Sequence, residues 1–135
     1  MMNLLLDTHL LIWALTDDKK LSEKAKKLIL DTNNTIYYSV VSAWEVSIKH
    51  WAHPENVTFS GSTFIEFCEA AEFISLNLKN EHVKAVETLK RTPNSPKHSD
   101  PFDKILIAQA KSENFIFLTH DKLLKDYNEN CIHFV

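Results

Sequence analysis

An α/β domain built on a mainly parallel sheet of four or five strands flanked by helices is the fold class this sequence predicts. Short runs of continuously apolar, β-branched or aromatic residues recur at 3–6, 35–41, 73–76, 115–118 and 131–135, as expected of strands buried on both faces. Segments with apolar residues at helical spacing separate them. Parallel neighbours cannot be joined by tight hairpins, so this alternation points to helical crossovers covering both faces of one sheet. With 135 residues, 44% of them hydrophobic, the chain is expected to form a single domain, 1–135, around one core.

Each element has a local reason. Asn3-Leu4-Leu5-Leu6 stops at Asp7-Thr8-His9, and helical spacing follows through Leu10, Leu11, Trp13, Ala14 and Leu15, so Asp7 lies where a central strand gives way to a helix. Ser22 is expected to cap a second helix with Leu21, Ala25, Leu28 and Ile29 inward, closing near Asn33-Asn34. Its outer side carries Lys20, Lys24, Lys26 and Lys27, most simply a solvated face. Residues 35–41 read as the second strand, and Ser42 with Glu45 has capping-box spacing ahead of a helix through Val46, Ile48 and Trp51. Lys49, one turn beyond Glu45, is a possible ion-pair partner. His50 and His53 share a helix face without an acidic companion, which does not suggest zinc.

Pro54 ends that helix, and Ser60-Gly61-Ser62 leads into another through Phe64, Ile65, Phe67, Cys68 and Ala71. After a short strand at 73–76, Asn80 is expected to cap a helix containing Val83, Val86 and Leu89. The stretch 92–100, with Pro93 and Pro96, is the one long loop. Lys90, Arg91, Lys97 and His98 form a local basic surplus there, readable either as a phosphate-steering rim or as ordinary solvation. A helix then runs from Phe102 through Ile105, Leu106 and Ala108, with Asp100 and Asp103 one turn apart at its mouth, where both favour the positive end of the helix dipole. The strand at 115–118 stops at Thr119-His120-Asp121.

Composition excludes several chemistries. The single glycine, Gly61, rules out a phosphate-cradling P-loop, a glycine-rich dinucleotide fingerprint and the Gly-x-Ser-x-Gly elbow. Cys68 and Cys131 have no paired spacing and are expected in the core. No run approaches the roughly 18 apolar residues of a membrane span, and no basic-then-apolar leader opens the chain, so a cytoplasmic protein is expected. The formal charge of -3 is awkward for a nucleic-acid binder unless several carboxylates gather around a divalent cation.

Asp7, Glu45 and Asp121 each follow a strand-like run, and Asp103 opens the helix before the fourth strand. Strand C-termini and the adjacent helix starts of an open parallel sheet collect along one edge, at the reversal of strand order. Singly, each acid is an adequate helix cap. Together, two carboxylates about 4 Å apart repel by roughly 4 kcal/mol at an effective dielectric near 20, so four in one pocket require protons or a cation. Carboxylate oxygens with water suit Mg²⁺ or Mn²⁺, and such an ion beside a basic rim suits phosphodiester hydrolysis. Thr8 and Thr119 stand next to these acids and could orient them. His9, His98 and His120 fit outer contacts better than ligands.

The motifs Leu4-Leu5-Leu6-Asp7-Thr8-His9, Ser42-Ala43-Trp44-Glu45, Asp100-Pro101-Phe102-Asp103 with Ile107-Ala108-Gln109-Ala110, and Leu118-Thr119-His120-Asp121, in that order, resemble those of PIN-domain ribonucleases. The likeness is greatest to the toxin half of VapBC-type toxin-antitoxin pairs. It implies a three-layer PIN-like sandwich, a Mg²⁺ or Mn²⁺ site, endonucleolytic RNA cleavage, a homodimer and inhibition by a cognate antitoxin. By matched position, Asp7 and Asp103 would be the main metal ligands, Glu45 and Asp121 would complete the acidic pocket, and Asp100 would support it. Lys104 stands where the family often has arginine, keeping charge without the bidentate fork. With Lys90, Arg91, Lys97 and His98 it makes up the expected RNA-binding set. Trp13, Trp44 and Trp51 are expected to supply some partner surface. Two rival readings are a phosphatase acting through an aspartyl-phosphate at Asp7 and an inert PIN-like or receiver-like module that binds a cation without cutting anything.

Overall fold

The computed structural model describes residues Met1 to Val135. Five strands, β1 (Asn3–Leu6), β2 (Thr35–Ser39), β3 (Ile74–Leu76), β4 (Ile116–Thr119) and β5 (Ile132–Phe134), form one sheet in the order β3-β2-β1-β4-β5. Every neighbouring pair is parallel. Six helices connect or cover them: α1 (Thr8–Leu15), α2 (Glu23–Leu30), α3 (Val40–Ala52), α4 (Gly61–Ala70), α5 (Asn80–Val86) and α6 (Pro101–Glu113), with a short 3-10 helix at Lys122–Asp126.

Side-chain alternation along the central strands divides the core into two layers. Leu4, Leu6, Ile36, Tyr38 and Leu118 pack with Leu10 and Leu11 of α1, Ala25 of α2 and Phe64 and Cys68 of α4 on one face. Leu5 and Phe117 pack with Leu106, Ile107 and Ala110 of α6, and with Leu124 and Tyr127, on the other. This is the three-layer sandwich expected. The chain builds outward from β1 through β2 to β3, then returns to add β4 and β5 on the other side. The switch point therefore falls between the C-terminal ends of β1 and β4, where the Asp7 amide donates to the Leu118 carbonyl at 2.9 Å.

Several boundaries differ from the sequence expectation. The second strand ends at Ser39, two residues early, because the Ser39 hydroxyl accepts the Val41 amide at 3.0 Å and starts α3 at Val40. A cap hydrogen bond at the sheet edge outweighs the strand preference of two valines. Ser42 and Glu45 are consequently no capping box; both lie inside α3 and are buried. Asn80 is the first residue of α5 rather than its cap, since the backbone N–H of Lys79 is taken by Nδ1 of His82 at 3.0 Å. That helix stops at Val86, and it buries His82 while Val83 is exposed. The helix capped by Ser22 closes at Leu30, short of Asn33-Asn34. Cys68 is in the core, whereas Cys131 is half-buried at the edge of the sheet.

Candidate active site

The four acids picked out by position lie at the C-terminal edge of the sheet, each fixed by a local hydrogen bond. Asp7 caps α1: Oδ1 accepts the His9 amide at 3.2 Å and Oδ2 accepts the Thr119 hydroxyl at 2.6 Å. Glu45 projects from the second turn of α3, with Oε1 accepting the Thr8 hydroxyl at 2.8 Å and Oε2 pairing with Lys49 Nζ at 2.6 Å. Asp100 caps α6 and receives the amides of Phe102 at 2.9 Å and Asp103 at 3.4 Å, which sets Asp103 in the first turn. Asp121 opens the 3-10 helix through the Leu123 amide at 2.9 Å, while its own amide donates to Thr119 at 3.0 Å.

Thr119 thus bridges Asp7 and Asp121, and Thr8 bridges Glu45 and Ser42, the latter at 2.9 Å. Both threonines hydrogen-bond to carboxylates, as their positions beside the acids suggest. Asp7 and Glu45 are only 4% and 5% exposed, too deep to be ordinary surface acids.

Charge is the strongest sign that these residues form one site. Burial first, and then the charges of Asp7, Asp100, Asp121 and Glu45 in that order, together push the Asp103 carboxyl up to about 8. Asp7 is also raised, by burial above all, against the lowering effect of its hydrogen bond from Thr119. Five acids from four separate segments therefore share one electrostatic pocket. As the side chains stand, no three His, Cys, Asp or Glu groups converge into one coordination sphere.

The donor set nevertheless fits a hard divalent ion. It offers carboxylate oxygens backed by threonine hydroxyls and no thiolate, and a +2 charge is what the crowding around Asp103 lacks. His98 is the only imidazole against Asp103, with Nε2 at 3.3 Å from Oδ2. Its own pKa is lowered, mainly by burial. With Asp103 raised and His98 lowered, the two share a proton as a hydrogen bond rather than forming an ion pair when no cation is bound.

The expected basic rim divides. Lys90 and Lys97 are exposed and Lys104 is half-buried on α6. His98 and Arg91 instead turn toward Tyr127. The His98 Nδ1 lies 2.7 Å from the Tyr127 hydroxyl, and the Arg91 guanidinium sits 5.0 Å over its ring and 3.9 Å from Asp126. Tyr127, 24 positions beyond Asp103, has no local pattern that marks it in the sequence; only its partners do. His9 and His120 are exposed on either side of the Trp13 ring, at 6.0 and 5.5 Å. His50 is tied to the Val57 carbonyl at 2.6 Å, and His53 lies 3.6 Å from Glu55.

A cavity of about 780 Å³ lies at the opposite edge of the sheet among Leu15, Ile29, Leu30, Ile36, Phe67 and Phe73. Its lining is mainly apolar, with Asp31 and Glu72 as its acids, so the chemistry is assigned to the acidic edge on charge rather than on cavity size.

Comparison with known proteins agrees with this fold. The family model for the PIN domain matches residues 4–130. The fold is similar to that of a chain in the crystal structure of VapBC2 from Rickettsia felis bound to a DNA fragment from their promoter, with a TM-score of 0.72 and 13% identity over 98% of each chain. A chain in DNA-bound VapBC from Salmonella typhimurium is also similar, with a TM-score of 0.66 and 13% identity over 99% of this chain and 98% of that one. No curated protein sequence matched.

Proposed function

The chain belongs to the PIN-domain family of nucleases, and from that premise we propose that it is a Mg²⁺- or Mn²⁺-dependent endoribonuclease, the toxin of a type II toxin-antitoxin pair. The observation that carries the reading is the pair of deeply buried acids, Asp7 and Glu45, held by the Thr119 and Thr8 hydroxyls at the edge of the sheet where α6 and the 3-10 helix capped by Asp121 also begin.

Asp7 and Asp103 would be the principal ligands, with Asp121 and Glu45 completing the set and Asp100 holding the first turn of α6. A bound divalent ion supplies a polarised water and a countercharge for the scissile phosphate. This chain supplies the rest. Thr119 and Thr8 hold Asp7 and Glu45 in fixed orientations, so that little reorganisation accompanies binding. Buried Leu5, Leu6 and Leu118 behind the acids keep the floor of the pocket dry. His98, held between Tyr127 and Asp103, orients the Asp103 carboxyl. Lys90, Lys97 and Lys104 would meet RNA phosphates, with Arg91 and His98 acting through Tyr127.

The solved structures of similar fold are complexes with VapB, which supports an antitoxin protein as partner. The apolar cavity at the far edge is compatible with such a partner. Trp44 and Trp51, 59% and 88% exposed, support a homodimer or another protein contact. Trp13 is half-buried between His9 and His120 and contributes less.

The decisive experiment compares cleavage of structured RNAs with and without Mg²⁺ by the wild type, Asp7→Asn and Asp103→Asn. Cleavage that needs Mg²⁺ and disappears in both variants is expected. Equal cleavage by all three would mean a contaminating nuclease, and stoichiometric metal binding without cleavage of any RNA would favour the inert module.

A further inference from the structure

Glu45 differs from the other acids of the pocket in being held by a permanently charged group of the chain itself. Its Oε2 lies 2.6 Å from Lys49 Nζ and its Oε1 is taken by Thr8. Asp7, by contrast, is held only by neutral donors, His9 and Thr119, and Asp121 by the Leu123 amide. Asp103 faces only an imidazole.

The Lys49 and Glu45 pair is not a typical exposed contact between helix turns. Glu45 has a side chain only 6% exposed, while that of Lys49 is 44% exposed, so the lysine reaches from the surface of α3 down to a buried acid. The ammonium also lies in the field of Asp100 and Asp103. Partial burial works against its charge, yet the hydrogen bond and charge of Glu45, with Asp100 and Asp103 behind, raise its pKa above the usual lysine range.

We propose that Lys49 is the built-in cation of the acidic pocket: it occupies the Glu45 corner, leaving Asp7, Asp103 and Asp121 to bind the divalent ion directly, and competes with that ion for the same negative potential. The inference rests on the metal-dependent nuclease reading and adds a positioning residue to it. Glu45 then joins the metal through water or through its effect on the field.

The proposal predicts a sign that an ordinary structural ion pair would not. Deleting a merely structural pair lowers stability and leaves metal affinity unchanged or weaker. Deleting a competing cation lowers stability but tightens metal binding. The test is Mn²⁺ binding by the full chain, read as loss of the free-ion electron paramagnetic resonance signal, for wild type, Lys49→Met, Lys49→Gln and Lys49→Arg. The Met and Gln variants are expected to bind Mn²⁺ about fivefold more tightly or better, because a charge facing the site is gone. The Arg variant keeps the charge and is expected within about twofold of wild type. Lys49→Gln can still hydrogen-bond to Glu45, so it provides a folded neutral variant if Lys49→Met does not fold. Thermal shift by Mg²⁺ is the second readout and is expected to be larger in the neutral variants than in wild type. Unchanged or weaker Mn²⁺ binding by folded neutral variants would overturn the proposal and leave the nuclease reading intact. Failure of the wild type itself to bind Mn²⁺ would overturn the nuclease reading, and this inference with it.

Discussion

Two buried polar networks hang on α3 and α6, and they are built on opposite principles. At the acidic edge, Asp7, Glu45, Asp103 and Asp121 place surplus negative charge in one pocket. Farther along the same helices, Glu113 of α6 meets the fully buried His82 at 2.7 Å, and His82 Nδ1 receives the Lys79 amide. Gln109, buried in α6, takes the Ser39 hydroxyl at 2.6 Å, and Ser39 in turn caps α3. In this second network each donor finds an acceptor. The shifts run accordingly: Asp103 is pushed up to about 8, while the hydrogen bond from His82, ahead of smaller effects, holds Glu113 below the usual glutamate range. A satisfied network locks helices together, whereas an unsatisfied one is left for a ligand to complete.

The largest expected effect would break the comparison outright. Asp103→Asn should reduce Mg²⁺-dependent cleavage by about a thousandfold, on the order of 4 kcal/mol of lost transition-state stabilisation. Its metal-free form should nevertheless melt higher than wild type, because Asn is neutral in the pocket without the proton that the Asp103 carboxyl must take up on folding. Calorimetry without metal is the check, and a lower melting temperature would remove the claim that the pocket is electrostatically strained.

In the satisfied network the sign reverses. His82→Ala should destabilise by about 3 kcal/mol, from a cavity and an orphaned Lys79 amide. Chemical denaturation measures it, and a change below about 1 kcal/mol would show that the network carries little of the helix docking.

The pH dependence sharpens the same contrast. Asp103 has a folded pKa of about 8 against an ordinary 3.8, so the folded state holds the proton more firmly. Its contribution to stability is therefore present at low pH and is lost as pH rises from near 4 through 8. Allowing for solvent screening of a half-buried carboxyl, the loss is about 2 kcal/mol. Stabilisation by Mg²⁺ should consequently be greater at pH 8 than at pH 6. Glu113, lowered in the fold, runs the other way: what it contributes is present at neutral pH and lost as pH falls below the normal glutamate range. Melting curves from pH 4 to 9, with Mg²⁺ and with a chelator, separate the two.

The smallest effect serves as control. Lys26 and Glu23, 3.6 Å apart on the outer face of α2 with Glu23 85% exposed, belong to neither network. Lys26→Ala should shift stability by less than about 0.5 kcal/mol and leave cleavage unchanged. A marked loss of cleavage would mean that the lysine face of α2 takes part in substrate binding.

Much of this architecture was legible in the chain. Short apolar runs bounded by Asp-Thr-His or Thr-His-Asp require strands entering helices at one edge, and the positions of Asp7, Asp103 and Asp121 follow from that alone. The reading failed where a neighbour decided. Val40 and Val41 look like strand until Ser39, fixed by Gln109 from 70 positions away, starts a helix one turn early. Val83 has the spacing of an inward helix residue, yet His82, held by Glu113, is the one buried. Tyr127, which joins Arg91 and His98 behind Asp103, carries no local signal.

Local periodicity and the chemistry of single residues thus determined the strands, the crossovers and the edge at which the acids collect, because those depend on interactions within a few positions. Only the packed structure decided that the Thr8 and Thr119 hydroxyls hold Glu45 and Asp7, that Lys49 reaches inward, and that Asp103 and Asp7 are both pushed above the usual carboxylate range. Such properties arise from burial and from charges brought together across the fold, and neither exists until distant segments share one low-dielectric space.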